Sequence, residues 1–207
     1  MMHLDHIVVS CDRLEDGVAH VEAALGVAMQ PGGKHVFFGT HNAVLALADG
    51  VYLEVIAVDP DAPAPKYARW FGLDGRQAGV RLSHWVCATD ELGHVLGRGP
   101  GGWGLPITLE RGDLRWAMVT SETGEMPWGG AWPGLLQWIS TPAQARLTPC
   151  GLALERLEIS HPQAGMWRGD LGALLSDARV ILREGAAGMR AVFSDGDAAP
   201  GGQKVLV

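Results

Sequence analysis

Two histidines with matching surroundings are the first residues in this chain with a chemistry to offer. Leu4 to Leu14 reads LDHIVVSCDRL, and Leu82 to Leu92 reads LSHWVCATDEL. Leu4, His6, Val8, Asp12 and Leu14 recur without a gap as Leu82, His84, Val86, Asp90 and Leu92. Each histidine lies in an apolar, β-branched run, so each belongs to a strand and shares a face with the residues two positions away. On such a face an imidazole costs free energy until it finds a partner. The partner is a carboxylate such as Glu54, a backbone group, or a metal ion shared by the two rings. Spacing alone favours buried, hydrogen-bonded histidines; the duplication brings the metal in beside that reading.

His35, Thr40, His41 and Asn42 form a second group at or near a turn. Imidazole titrates near neutral pH, which suits it to acid–base work. The plainer reading is turn chemistry, with Asn42 tolerating a left-handed backbone and His41 solvated. Arg115 and Arg156 either meet an anionic group or are solvated surface. No nucleophile elbow or phosphate-binding loop occurs, and the glycines of 99–104 lack the spacing of a dinucleotide turn, so no nucleotide is expected. Cys11, Cys87 and Cys150 form no CxxC pair and imply neither a disulfide framework nor a thiolate zinc site.

The elements around these residues repeat as well. A strand over 3–11 leads into Asp12, which with Glu15 reads as a capping box. Leu14, Val18, Val21 and Leu25 then recur at helical spacing until Gly26. Strands are expected at 34–39, 42–48 and 51–58, with turns at Gly32-Gly33, His41-Asn42 and Asp49-Gly50. The second copy has a strand at 82–89, a short helix at 90–96, a glycine-rich loop and strands at 107–111, 114–121 and 135–140. A third, partial copy has a strand at 152–160, a helix at 164–175 and strands at 178–183 and 188–194, with Arg156 at the histidine position. The expected fold is α+β: paired βαβββ modules (1–58 and 81–141) forming a half-open mixed β-sheet cleft, a connector (59–80) and a partial third βαββ unit (150–195). The connector carries Tyr67, Trp70 and Phe71, which should bury. Trp85, Trp116 and Trp138 are expected opposite the histidines, and Trp103, Trp128 and Trp132 at a lid, a rim or a subunit contact.

Composition narrows the partners. Of 207 residues, 47% are hydrophobic and 19% charged, which describes a packed globular protein. A net charge of -7 lacks the Lys/Arg field that nucleic acid or an anionic membrane requires. No apolar run is long enough to span a bilayer and no signal peptide is evident, so a cytoplasmic location is expected.

Several stretches carry a family resemblance: Leu4-Asp5-His6-Ile7-Val8, Gly32-Gly33-Lys34-His35, Gly39-Thr40-His41-Asn42, Tyr52-Leu53-Glu54-Val55-Ile56-Ala57 and Trp70-Phe71-Gly72-Leu73-Asp74. With the βαβββ repeat, they resemble the glyoxalase-like domain family of the vicinal-oxygen-chelate superfamily, over about residues 3–195. The resemblance implies metal ligands from the first and last strands of each module, here His6, Glu54 and His84. Two histidines and a carboxylate suit Zn, Mn, Ni or Fe as a divalent ion. Gln137 stands where glyoxalase I-like enzymes place a carboxylate that takes part in proton transfer. The expected catalytic group is therefore His41, His35 and Gln137. The implied function is metal-dependent lyase, isomerase or dioxygenase chemistry on a small molecule with vicinal oxygens; the alternative is a metal-free protein that sequesters a small molecule. Modules in this superfamily pair within a chain or between subunits, so a homodimer is a further expectation.

Overall fold

The computed structural model describes residues 1–195 and 203–207. The first module contains β1 (His3–Ser10), α1 (Leu14–Leu25), β2 (Gln30–His35), β3 (Thr40–Ala46) and β4 (Tyr52–Val58). The second contains β5 (Arg81–Ala88), α2 (Leu92–Leu96), β6 (Leu105–Arg111), β7 (Leu114–Thr120) and β8 (Gly134–Trp138). The third unit contains β9 (Leu152–His161), α3 (Ala164–Leu174), β10 (Val180–Glu184) and β11 (Gly188–Asp195), and β12 (Lys204–Leu206) adds to it. The fold is α+β, with two βαβββ modules and a βαββ unit.

The two modules share one mixed sheet of eight strands in the order β2-β3-β4-β1-β5-β8-β7-β6. Within each module the first strand runs parallel to the last, β1 with β4 and β5 with β8. The modules join at an antiparallel seam between β1 and β5, where His6 faces Val86 and Val8 faces His84. Paired residues project from one side of a sheet, so both histidines do lie on a common face.

The opposite face forms the larger core. Ile7, Val9, Trp85 and Cys87 meet Leu157, Ile159, Trp167 and Phe193 from the third unit. That unit forms a second sheet, β10-β9-β11-β12. The smaller apolar cluster, on the histidine face, includes Val8, Ile56, Val86, Trp70, Phe71 and Met118. Helix α1 lies close against the sheet because Gly17 lacks a side chain: a Cβ there would come 2.5 Å from Val55 Cγ1 and 2.6 Å from Cys11 Sγ. The helix ends where Gly26 takes a left-handed φ of 67°.

Several local expectations change. Asp12 does not cap α1; the N-cap is Arg13, and the Asp12 carboxylate is drawn to Arg76 and the Gly79 N–H of the connector. Strand β2 starts four residues earlier than expected and includes Gly32 and Gly33, which were expected to turn. A Cβ on Gly32 would fall 2.0 Å from Asn42 Oδ1, so that glycine serves close strand packing. The turn lies at 36–39, where the N–H groups of Phe38 and Gly39 both donate to the His35 carbonyl. Trp116 and Trp138 line the histidine side of the sheet, while Trp85 alone of its trio is opposite. Trp103 and Trp132 are fully buried core residues and form no rim. In the connector Trp70 and Phe71 bury, whereas Tyr67 stays 60% exposed.

Candidate functional site

The histidine side of the sheet encloses a cavity of about 180 Å³. Strands β1 to β4 supply His6, His35, Asn42, Tyr52 and Glu54 to its wall. The far strands supply Arg111, Leu114, Trp116, Met118, Leu136 and Trp138, and the connector adds Trp70 and Phe71. Apart from Arg111, the far strands thus turn apolar surface toward the polar residues of the first module.

The polar side is built around a β-bulge. Strand β1 shifts register between Leu4 and His6, which lets Asp5 and His6 both serve the cavity side. His6 Nδ1 lies 2.7 Å from Asp5 Oδ1, and the other Asp5 oxygen accepts from Trp138 Nε1 at 2.9 Å and Gln144 Nε2 at 3.1 Å. Burial alone would raise the Asp5 carboxyl, but the hydrogen bond and charge of His6, with Trp138 and Gln144, outweigh it and hold the pKa below its ordinary value. The carboxylate therefore orients the ring, with Nδ1–H donating to Asp5 and Nε2 directed to Glu54 Oε2 at 3.5 Å. Tyr52 stacks on the His6 ring with centroids 4.5 Å apart. Its hydroxyl stays protonated, because burial and then the charges of Asp5 and Glu54 push its pKa up.

A second chain of contacts leads to Arg111. Asn42 Nδ2 donates to Glu54 Oε1 at 2.5 Å, and Asn42 Oδ1 accepts from Gly33 N at 2.8 Å and Arg111 Nη1 at 3.2 Å. Arg111 Nη1 also donates to His35 Nε2 at 3.1 Å, so the proton of His35 sits on Nδ1, 3.0 Å from Thr40 Oγ1. Burial, then the charge of Arg111, pushes the His35 pKa down to about 3. His35 is thus a neutral, fixed residue of the cavity wall.

The other expected residues are elsewhere. His84 has Nδ1 2.9 Å from Ser83 Oγ, and its ring packs 5.2 Å from that of Phe71. Gly130 presses on the same ring, where a Cβ would lie 2.6 Å from Cδ2. Burial pushes the His84 pKa down to about 3, with the charge of Arg81 adding to it. Among the described residues His84 is not part of the cavity lining. Gln137 is displaced by strand parity: Leu136 and Trp138 line the cavity, and Gln137 donates from the other face to the Asp90 carbonyl at 3.2 Å. His41 likewise lies between Thr40 and Asn42 on the reverse side of β3, paired with Lys34 and Ala57. Arg115 and Arg156 are engaged by Glu110 and Glu158.

Register also locates the true counterpart of Glu54. Glu54 pairs with Val8, two residues after His6; the residue paired with Val86, two after His84, is Gly134. A Cβ on Gly134 would already lie 3.2 to 3.3 Å from Met126 Cε, Val86 Cγ2 and Met118 Cε. Met126, Met118 and Val86 fill the space that a carboxylate would need. The divalent-ion set His6, Glu54 and His84 therefore does not fit as one donor set: His6 and Glu54 converge, while His84 is held under Phe71. Among the described residues no group of three or more His, Cys, Asp or Glu is placed to hold an ion.

Asp5, Tyr52 and Arg111 were missed from the sequence. Asp5 sits next to His6, and strand alternation assigns it to the wrong face unless the bulge is known. The sequence pattern of the glyoxalase-like domain family matches residues 4–175. This chain belongs to the glyoxalase-like domain family. The family falls within the vicinal-oxygen-chelate superfamily. Among solved structures, a hypothetical protein from Staphylococcus aureus is similar at a TM-score of 0.66 and 12% identity, over 96% of this chain and 93% of that one. A methylmalonyl-CoA epimerase from Streptomyces coelicolor is similar at a TM-score of 0.43 and 20% identity, over 67% of this chain and 96% of that one. At such identities the likeness concerns the fold. A comparison with curated proteins finds no match. No helix among the described residues is long and apolar enough to cross a membrane.

Proposed function

We propose that this glyoxalase-like domain binds a small molecule in the cavity that both modules line and moves a proton on it, a lyase or isomerase reaction carried by His6 and Glu54. The observation that carries this reading is the buried Asp5–His6–Glu54 line. Asp5 fixes the tautomer, and His6 Nε2 and Glu54 Oε2 stand 3.5 Å apart at the cavity wall. The two heteroatoms face each other at the cavity wall, so a ligand seated against them has an imidazole nitrogen and a carboxylate oxygen on the same side. A general base needs hydrogen-bond reach to the proton it removes, and both atoms have it for a ligand in this cavity. Tyr52 offers a hydroxyl hydrogen to a carbonyl oxygen that gains charge as the proton leaves. The metal-dependent version expected from sequence is not preferred, because His84 does not join the other two donors, and no step here is routed through an ion.

The test is proton exchange. Small 2-oxo acids and 2-hydroxy ketones are incubated with the protein in D2O, and loss of the C–H signal beside the carbonyl is followed by NMR. Exchange that disappears in His6→Gln and in Glu54→Gln is expected. A ligand that binds in the cavity but never exchanges would sink the enzymatic reading and leave sequestration, which the apolar wall of Leu114, Trp116, Met118 and Leu136 supports.

A further inference from the structure

We infer that Arg111 is an anion clamp, and that the ligand of this cavity is a small monocarboxylate carried on a compact apolar or aromatic body, an inference that rests on the cavity being the ligand site.

Arg111 ends β6, one edge of the eight-stranded sheet, yet its partners His35 and Asn42 belong to the first module at the other edge. The sheet curls until its two edges meet, and the guanidinium spans the gap. A Cβ on Gly33 of β2 would lie 3.0 Å from Arg111 Cδ, so the side chain crosses directly over that glycine. Both acceptors are neutral, and they engage only Nη1. Arg111 has no carboxylate within ion-pairing distance among the described residues, whereas Arg146, the other arginine at this cavity, is paired with Asp113. A guanidinium has five N–H donors in a planar fork suited to a carboxylate, so Nε and Nη2 remain for a ligand.

The rest of the cavity agrees with that ligand. Trp116, Trp138, Leu114 and Leu136 form a surface for an apolar body. Trp70 is buried at the cavity, and its indole N–H has no partner among the described residues. The volume of about 180 Å³ lies below the range of roughly 300–1,000 Å³ for drug-sized ligands, so the body is small. The amide of Asn42 alone separates Arg111 from Glu54, with Oδ1 toward the guanidinium and Nδ2 toward the carboxylate. A carboxylate held by Arg111 would therefore set its neighbouring carbon atoms toward the His6–Glu54 pair.

The experiment compares benzoate with benzamide, its neutral counterpart, by tryptophan fluorescence and ligand-observed NMR. The unmodified protein should prefer benzoate by about tenfold or more, as expected for charge-assisted hydrogen bonds. Arg111→Gln should remove that preference by weakening benzoate and leaving benzamide within about twofold, and Arg111→Lys should keep part of it. Arg115→Gln, on the neighbouring strand and outside the cavity, should change neither. Equal binding of both probes by the unmodified protein would overturn the clamp while leaving the cavity reading standing, whatever the folding of the variants. Binding of neither at millimolar concentration would overturn both.

Discussion

The first and second βαβββ modules share element order and an opening strand, yet their inner faces are built from opposite materials. In the first, a histidine is held by a buried carboxylate and faces another. In the second, the matching histidine is covered by Phe71, the matching carboxylate position is Gly134, and the neighbours are Met118 and Met126. The connector accounts for much of the difference. It turns sharply at Trp70-Phe71-Gly72, with Phe71 in the left-handed region at φ 58°, and delivers two aromatic rings to the cavity side. The two copies thus contribute unequally to one cavity, the first its polar residues and the second mostly apolar ones. A repeat in sequence is evidence of shared architecture, and each copy's chemistry has to be read from its own packing.

That contrast can be broken most forcefully at His6. His6→Leu leaves the fully buried Asp5 carboxylate without its main hydrogen-bond partner, which should cost more than the roughly 1–3 kcal/mol of a buried neutral group left unsatisfied. Urea denaturation measures it; a loss below about 1 kcal/mol would mean that the Asp5–His6 pair does not hold the first module together. The next effect is at glycine. Gly32→Ala forces a Cβ against Asn42 Oδ1 and its backbone carbonyl and should cost about 1–3 kcal/mol, whereas Gly134→Ala meets two methionine ends and a Val86 methyl at 3.2 to 3.3 Å and should cost less.

The third test is pH. His35 has a folded pKa of about 3 against an ordinary 6.5. Below pH about 6.5 the unfolded chain takes up a proton that the folded chain refuses. Its contribution is therefore complete above that pH and is lost as pH falls toward 3, by about 1.4 kcal/mol per pH unit. Denaturation at pH 7, 5.5 and 4.5 should show a slope smaller by about one proton in His35→Gln; an unchanged slope would mean that His35 is charged in the folded protein. The smallest effect belongs to the second module. His84→Leu exchanges a ring in apolar surroundings for a side chain of similar bulk and should cost under about 1.5 kcal/mol. A loss as large as that of His6→Leu would erase the distinction between the modules.

Much of this was legible in the sequence, and the boundary is physical. The repeat located the two opening strands and the shared face of His6 and His84, and the last strand of the first module brought in Glu54. Alternation could not anticipate the bulge that turns Asp5 inward, because a bulge adds one residue without a signature in LDH. It failed again at Gln137, where a shift of one residue moves a side chain to the other face. Gly134 offers no chemistry to notice, and only strand register reveals it as the partner of Glu54. Arg111 was overlooked for a similar reason. Its role depends on sheet curvature bringing residues from opposite edges together, which no local pattern encodes.

The N-terminal residues set a timetable for folding. Met2 bridges to Leu175, its N–H donating to the Leu174 carbonyl at 2.8 Å and its own carbonyl accepting from Ser176. At ribosomal speeds of about 5–20 residues per second, the start of β1 therefore waits on the order of ten to thirty seconds for the end of α3 to be made. Through that interval Ile7 and Val9, which finish in the core against the third unit, have no third unit to cover them. The last third of the chain thus completes the cover on the reverse face of the strand that carries His6.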